Sequence, residues 1–214
     1  MEVVVFITLL VSAAFTVLAF FAGSTKRIIH LFVLQAGAIG FFALMICIVD
    51  LVVGLQFEAL IVFFMAFFEW FSCAIISPLI IYWGMVKTKN QEDKPSIGFR
   101  NSLVAVALIT IVSIVVGIGV LFTWPAQFEV LPFTFFIFAV SIGIIVTRKD
   151  PLKILVAFNM AETALYPLMV ESPITIIPFM LAIMIFTNVV GVFVISEAYK
   201  EYGTLSINEW SWKE

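Results

Sequence analysis

Polar residues are so sparse along this chain that their positions define its pattern. Seven apolar stretches of near-spanning length follow one another: Val3 to Ala22, Ile28 to Val49, Ala59 to Val86, Ser102 to Trp124, Pro132 to Val146, Pro151 to Val170 and Ile174 to Ala198. A helix needs about 20 apolar residues to cross a hydrocarbon core about 30 Å thick, so each stretch reads as a transmembrane helix. The fifth is short, and Phe128 or Leu131 extends it. The exceptions inside these stretches are informative. In the sixth, Asn159, Glu162, Thr163 and Tyr166 fall at i, i+3, i+4 and i+7, the spacing of one helical face. In the third, Glu69, Ser72, Cys73 and Ser77 fall at i, i+3, i+4 and i+8, a second polar stripe around a second acid.

Composition agrees with the pattern. Of 214 residues, 64% are hydrophobic and 12% charged, where soluble domains carry about 25% charged, and the mean hydropathy is +1.21. The expected class is an all-α integral membrane protein, with nothing that resembles a basic nucleic-acid surface. The few charges then test the span count, because cytoplasmic loops collect Lys and Arg. All eleven basic residues fall in four groups: Lys26 and Arg27; Lys87, Lys89, Lys94 and Arg100; Arg148, Lys149 and Lys153; Lys200 and Lys213. With seven spans and the N-terminus outside, every group is cytoplasmic, and Asp50, Glu58, Glu129 and Glu171 lie on the other side. Tyr82, Trp83 and Trp124 sit near predicted span ends, where interface-seeking rings belong. Met1-Glu2 lacks the basic start of a secretory signal, so the first run reads as a retained span. The expected location is the inner (cytoplasmic) membrane, multi-pass.

A repeat is also legible. Thr25-Lys26-Arg27 precedes an apolar span containing Gln35, and Thr147-Arg148-Lys149 precedes one containing Asn159. Each basic hinge follows one span and precedes two more, so spans one to three match spans five to seven. A three-span unit ends on the side opposite its start, and one spacer crossing returns the chain, so the repeats are predicted to be parallel. The divisions are 1–86 for the first repeat, 87–124 for a loop and spacer helix, 132–198 for the second repeat and 199–214 for a cytoplasmic tail.

The candidate chemistry is the pair of acids. An ionised carboxylate near the bilayer centre costs about 2.5 to 3.5 kcal/mol on insertion scales, so intramembrane acids normally face protein or water. Glu69 and Glu162 are read as a proton relay, against the alternative of side chains that merely hydrogen-bond neighbouring helices. Pro78 and Pro167 each remove a backbone donor close to a stripe. His30, at the cytoplasmic end of the second span, either feeds protons inward or sits at the interface beside Lys26 and Arg27. Gln35, Ser72, Asn159, Thr163, Tyr166 and Asn188 are the supporting polar candidates, and Thr187 is a further neutral group. Gly117, Gly119, Gly143 and Gly191 permit close helix approach, and the Phe63-Phe64, Phe67-Phe68 and Phe135-Phe136 runs face lipid or another subunit. Trp210 and Trp212 place the tail on the membrane surface or against a partner. No catalytic constellation or cofactor motif is read, and Cys47 and Cys73 form no metal-ligand or disulfide pattern.

Arg148-Lys149-Asp150-Pro151-Leu152-Lys153-Ile154-Leu155, ending at Met160-Ala161-Glu162, resembles the basic hinge and acidic second helix of the complex I K subunit. Ala66-Phe67-Phe68-Glu69, followed by Ser72, is similar to that subunit's acidic third helix. The doubled length, Ser77-Pro78-Leu79 and Gly203-Thr204-Leu205 more closely resemble the hydrogenase-4 component E family, membrane subunits of energy-converting [NiFe] hydrogenase and formate hydrogenlyase complexes. The chain departs from that family's pattern: Cys73 stands where a Lys can precede the third-span proline, and the last helix lacks an acid above Thr187 and Asn188. Glu162 also sits about one turn after the position of the complex I acid, which falls at Asn159. The resemblance implies a non-catalytic membrane-arm subunit, embedded in lipid beside antiporter-like subunits, coupling electron transfer to proton or Na⁺ translocation. Peripheral hydrogenase subunits would carry the NiFe and iron–sulfur centres, with no cofactor in this chain. A subunit of a multisubunit cation/proton antiporter and a structural scaffold are the rival expectations.

Overall fold

The computed structural model describes residues 2–89, 95–123, 130–169 and 176–210. Lys94, Trp124, Phe128, Glu129, Val170, Glu171, Trp212 and Lys213, which enter the sequence argument, lie outside them. The described residues form helices and no strand: α1 Glu2–Phe21, α2 Thr25–Val53, α3 Gln56–Glu69, a π-helical segment Trp70–Ile76, α4 Ser77–Thr88, α5 Gly98–Thr123, α6 Leu131–Thr147, α7 Pro151–Ala164, α8 Tyr166–Met169 and α9 Ile176–Tyr202. Four are long and apolar enough to cross a membrane: Thr25–Val53, Gln56–Thr88, Gly98–Gly119 and Pro178–Tyr202. Phe6–Phe21 and Leu131–Thr147 are shorter apolar helices. The chain is an all-α, multi-pass membrane protein.

The helices begin and end where the local chemistry requires. Ser24 caps α2 by accepting from the Arg27 N–H at 3.4 Å, and Asp150 caps α7 by accepting from Leu152 N–H at 2.9 Å, with Pro151 in the first turn. Gly54, at φ +92°, closes α2 in the left-handed conformation that glycine adopts without penalty. Beside it, the Leu55 N–H bonds the Asp50 carbonyl at 2.8 Å, completing the end of α2, and α3 starts after this two-residue turn.

Packing sets like against like. Helix α1 lies against α2 and α6, α2 against α7, and the α3–α4 rod against α9. Helix α5 is peripheral, touching α6 and the edge of α1. Ile28, Phe32, Ile39, Val156, Met160 and Ile144 form the centre of the shared core. Gly143 and Gly191 admit Phe20 and Leu155, and Gly117 admits Pro132. Phe63, Phe64, Phe67, Phe68 and Phe135 are exposed on the outside of the bundle, but Phe136 packs inward. At the end of α4, the Lys87 ammonium sits 3.5 Å from the centre of the Trp83 ring.

The second basic hinge is buried against the first half of the chain. Arg148, Asp150 and Lys153 are 4%, 3% and 0% exposed. The Arg148 guanidinium donates to the carbonyls of Phe20 at 2.6 Å and Ala22 at 2.8 Å, and Lys153 Nζ donates to the Gly23 carbonyl at 2.7 Å. Asp150 pairs with Lys153 at 3.6 Å and accepts from Thr25 Oγ1 at 3.1 Å. The hinge is buried because the α1–α2 turn presents carbonyls that need donors. The tail also folds onto its own chain: Ile207 N–H bonds the Lys149 carbonyl at 3.2 Å, and Leu205 is buried. Trp210 stacks on Tyr202 and donates to the Thr204 carbonyl.

Asp150→Ala removes a helix cap, the Thr25 acceptor and the Lys153 counter-charge together, and is expected to cost about 3–5 kcal/mol. Asp150→Asn keeps the cap and should cost less. Thermal unfolding of the full chain in detergent, read by tryptophan fluorescence, gives both values.

Candidate functional site

The rod from Gln56 to Thr88 is one continuous helix with a π-helical section, and Glu69 is the last residue before that section, near the middle of the rod. In the π section the Ser77 N–H bonds the Ser72 carbonyl, five residues back. This wider turn sits just ahead of Pro78, whose missing N–H leaves the Ala74 carbonyl without its usual helical donor. Trp70 fixes the section against α2: its indole N–H donates to the Gly37 carbonyl at 3.1 Å, and its ring occupies the space where a side chain at Gly40 would sit.

A matching irregularity ends α7. The Leu165 N–H turns back to the Glu162 carbonyl at 3.0 Å, and α8 restarts at Tyr166. The sixth apolar stretch is therefore not one uninterrupted helix. Pro167 explains the break, because it offers no N–H to the Thr163 carbonyl four residues earlier.

Between these two irregularities lies a cavity lined by Glu69, Cys73, Glu162, Thr163, Tyr166, Met180, Leu181 and Met184, with about 20 Å³ of room for solvent. Glu69 is 1% exposed, whereas Glu162 is half-buried and lies at the more open side. The two carboxyls and the Cys73 thiol are close enough to interact electrostatically. Cys73 Sγ also lies 3.8 Å from Met184 Sδ. Glu69 Oε1, Thr163 Oγ1 and Tyr166 Oη are buried and have no hydrogen-bond partner among the described residues. A buried polar atom without a partner costs about 1–3 kcal/mol, so these three atoms set polar groups into a wall otherwise completed by Met180, Leu181 and Met184.

The remaining candidates are distributed elsewhere. Asn159 does not reach the cavity: it and Asn188 exchange two hydrogen bonds of 2.8 Å, joining α7 to α9. Gln35 Nε2 donates to the Met160 carbonyl at 3.1 Å, joining α2 to α7. Ser72 is buried in the π section and Ser77 at its end, and neither lines the cavity, because the wider turn shifts the i+3 and i+8 positions off the face of Glu69. His30 is on the exposed side of α2. Cys73, Met180 and Met184 belong to the site, although only the Cys73 spacing signalled a place there. Among the described residues, no group of three His, Cys, Asp or Glu side chains is gathered to hold a metal ion. No family model, curated protein or solved structure matches the chain.

Gly40→Val drives a side chain into the Trp70 indole and is expected to destabilise by about 1–3 kcal/mol. Gly37→Ala, with no atom within 4 Å of its added Cβ, should stay within about 0.5 kcal/mol of wild type. Asn159→Leu leaves Asn188 unpaired at a cost of about 1–3 kcal/mol, and the Asn159→Leu/Asn188→Leu double variant should recover most of it. Thermal unfolding in detergent measures each.

Proposed function

We propose that this chain is a non-catalytic membrane-arm subunit of an energy-converting hydrogenase-type complex, in which Glu69 and Glu162 pass protons as electron transfer proceeds on other subunits. The observation that carries this reading is the meeting of two acids, from α3 and α7, on one cavity enclosed by membrane helices. About 20 Å³ is enough for one water. Such a water would have the Glu69 carboxyl, the Thr163 and Tyr166 hydroxyls and the Glu162 carboxyl as partners. A proton leaving Glu69 would travel through that water to Glu162, which lies nearer the surface of the bundle. Residues beyond Glu162 must then come from a neighbouring subunit.

Seven crossings, an outside N-terminus, a cytoplasmic C-terminus and two parallel repeats around α5 are part of the same proposal. Its support is the pairing of α1 with α6, α2 with α7 and the α3–α4 rod with α9, each helix meeting its counterpart. The two hinges, which correspond in sequence, also bind each other. Moving one charge against 100 mV needs about 2.3 kcal/mol, which a subunit without redox chemistry draws from its complex. The resemblance to hydrogenase-4 component E names the type of complex, and the inner membrane is its expected place.

Native complexes extracted gently from membranes are expected to contain this chain with a [NiFe] subunit, iron–sulfur proteins and antiporter-like subunits, as read by mass spectrometry. Company limited to antiporter subunits would favour the cation/proton antiporter instead. In the native complex, Glu69→Gln and Glu162→Gln are each expected to leave assembly and electron transfer intact while lowering the protons moved per electron. Unchanged pumping in the double variant would make the chain a scaffold.

A further inference from the structure

Two cavities away from the carboxyl site lie along one seam. The first, of about 520 Å³, opens between the α1–α2 turn and the start of α5, and its lining includes Phe21, Gly23, Ser24, Arg27, Gly98 and Phe99. The second, of about 300 Å³, lies between α1, α5 and α6, and its lining includes Leu10, Ala13, Thr110, Ser113, Pro132 and Phe136. Both helices give the same spacing between them. The Phe21 and Phe99 rings, 5.4 Å apart, mark the first cavity, and Leu10 and Thr110 mark the second. Each interval is about three helical turns, or about 16 Å. That is about half of a 30 Å hydrocarbon core, so the seam has the length of one lipid in one leaflet.

The chemistry changes along the seam in the order a lipid requires. Arg27 is exposed, and its guanidinium makes no hydrogen bond or ion pair with any described residue. Lys26 and Arg100, next in sequence to lining residues, are exposed too, so this end is basic. At the other end the hydroxyls among the described lining residues, on Thr110 and Ser113, are already committed to the Val106 and Ile109 carbonyls at 2.8 Å. The walls there offer hydrocarbon alone. We infer that the seam binds one anionic phospholipid, with its phosphodiester against Arg27 and one acyl chain running between α1 and α5 into the cavity beside α6. A free phosphate would use only the basic end, and the continuation into an apolar cavity favours the lipid. The inference is independent of the proton-relay reading, since none of these residues lines the carboxyl cavity.

The test uses the full chain, delipidated in detergent and titrated with phosphatidylglycerol, phosphatidylcholine or inorganic phosphate, with bound molecules counted by native mass spectrometry. Wild type is expected to retain one phosphatidylglycerol about tenfold more tightly than phosphatidylcholine. Arg27→Gln should erase that preference and Arg27→Lys should keep most of it. Leu10→Trp, at an exposed position on the apolar cavity, should weaken both lipids equally, and its unchanged unfolding temperature would show that the bundle is intact. Equal binding of the two lipids by wild type, an Arg27→Gln variant that still discriminates, or phosphate displacing phosphatidylglycerol at equal concentration would each overturn the proposal.

Discussion

Where α1 ends, the carbonyls of Phe20, Ala22 and Gly23 point away from any helix of their own, and they are met by a guanidinium and an ammonium from the α6–α7 hinge. Carbonyls at a helix end carry partial negative charge, so cations are favoured there. The exchange is reciprocal, because Thr25 at the start of α2 donates to the Asp150 that caps α7. Breaking any part of it would strand a charge or a carbonyl away from water. This interlock holds two turns that are far apart in sequence at one level, and thereby sets the relative height of the helices that follow.

One of them, α7, carries Glu162, and the rod that follows α2 carries Glu69. Once α2 and α7 begin side by side, Gln35 reaches the Met160 carbonyl, and Glu162 lies one turn beyond Asn159 on α7. Helix α9 is held to α7 by the asparagine pair, and it brings Met180, Leu181 and Met184 to close the cavity. The opposite wall depends on the π section, because Trp70 lies across Gly37 and Gly40 while Glu69 and Cys73 face inward. Each polar residue near the site thus has one of two duties. Some complete hydrogen bonds between helices, and a few are left aimed at a shared space.

Much of this was legible in residue order. Seven apolar stretches each contain a helix, and both acids line one cavity, Glu69 buried and Glu162 half-buried. The polar stripes were legible only as far as regular geometry extends. Spacing at i, i+3 and i+4 assumes 3.6 residues per turn, and the π section and the break at Leu165 abandon it. Ser72 and Ser77 leave the face of Glu69 for that reason, while Tyr166 reaches the cavity from a separate short helix. Asn159 follows the predicted face but finds Asn188, a partner set by tertiary packing and not by spacing. The hinge charges show the same gap. Positions of Arg and Lys report which side of a membrane a loop occupies, but not that carbonyls from another turn lie in wait for them.

The rod carrying Glu69 has 33 residues and its neighbour α2 has 29, lengths of about 50 and 44 Å at an α-helical rise. A hydrocarbon core is about 30 Å thick. Such helices must lean, or push their ends beyond the apolar layer, or thicken the lipid around them, at a fraction of a kcal/mol for each ångström of misfit. Surrounding this chain with partners of equal length would relieve that elastic load, so the bilayer itself favours assembly over solitary residence.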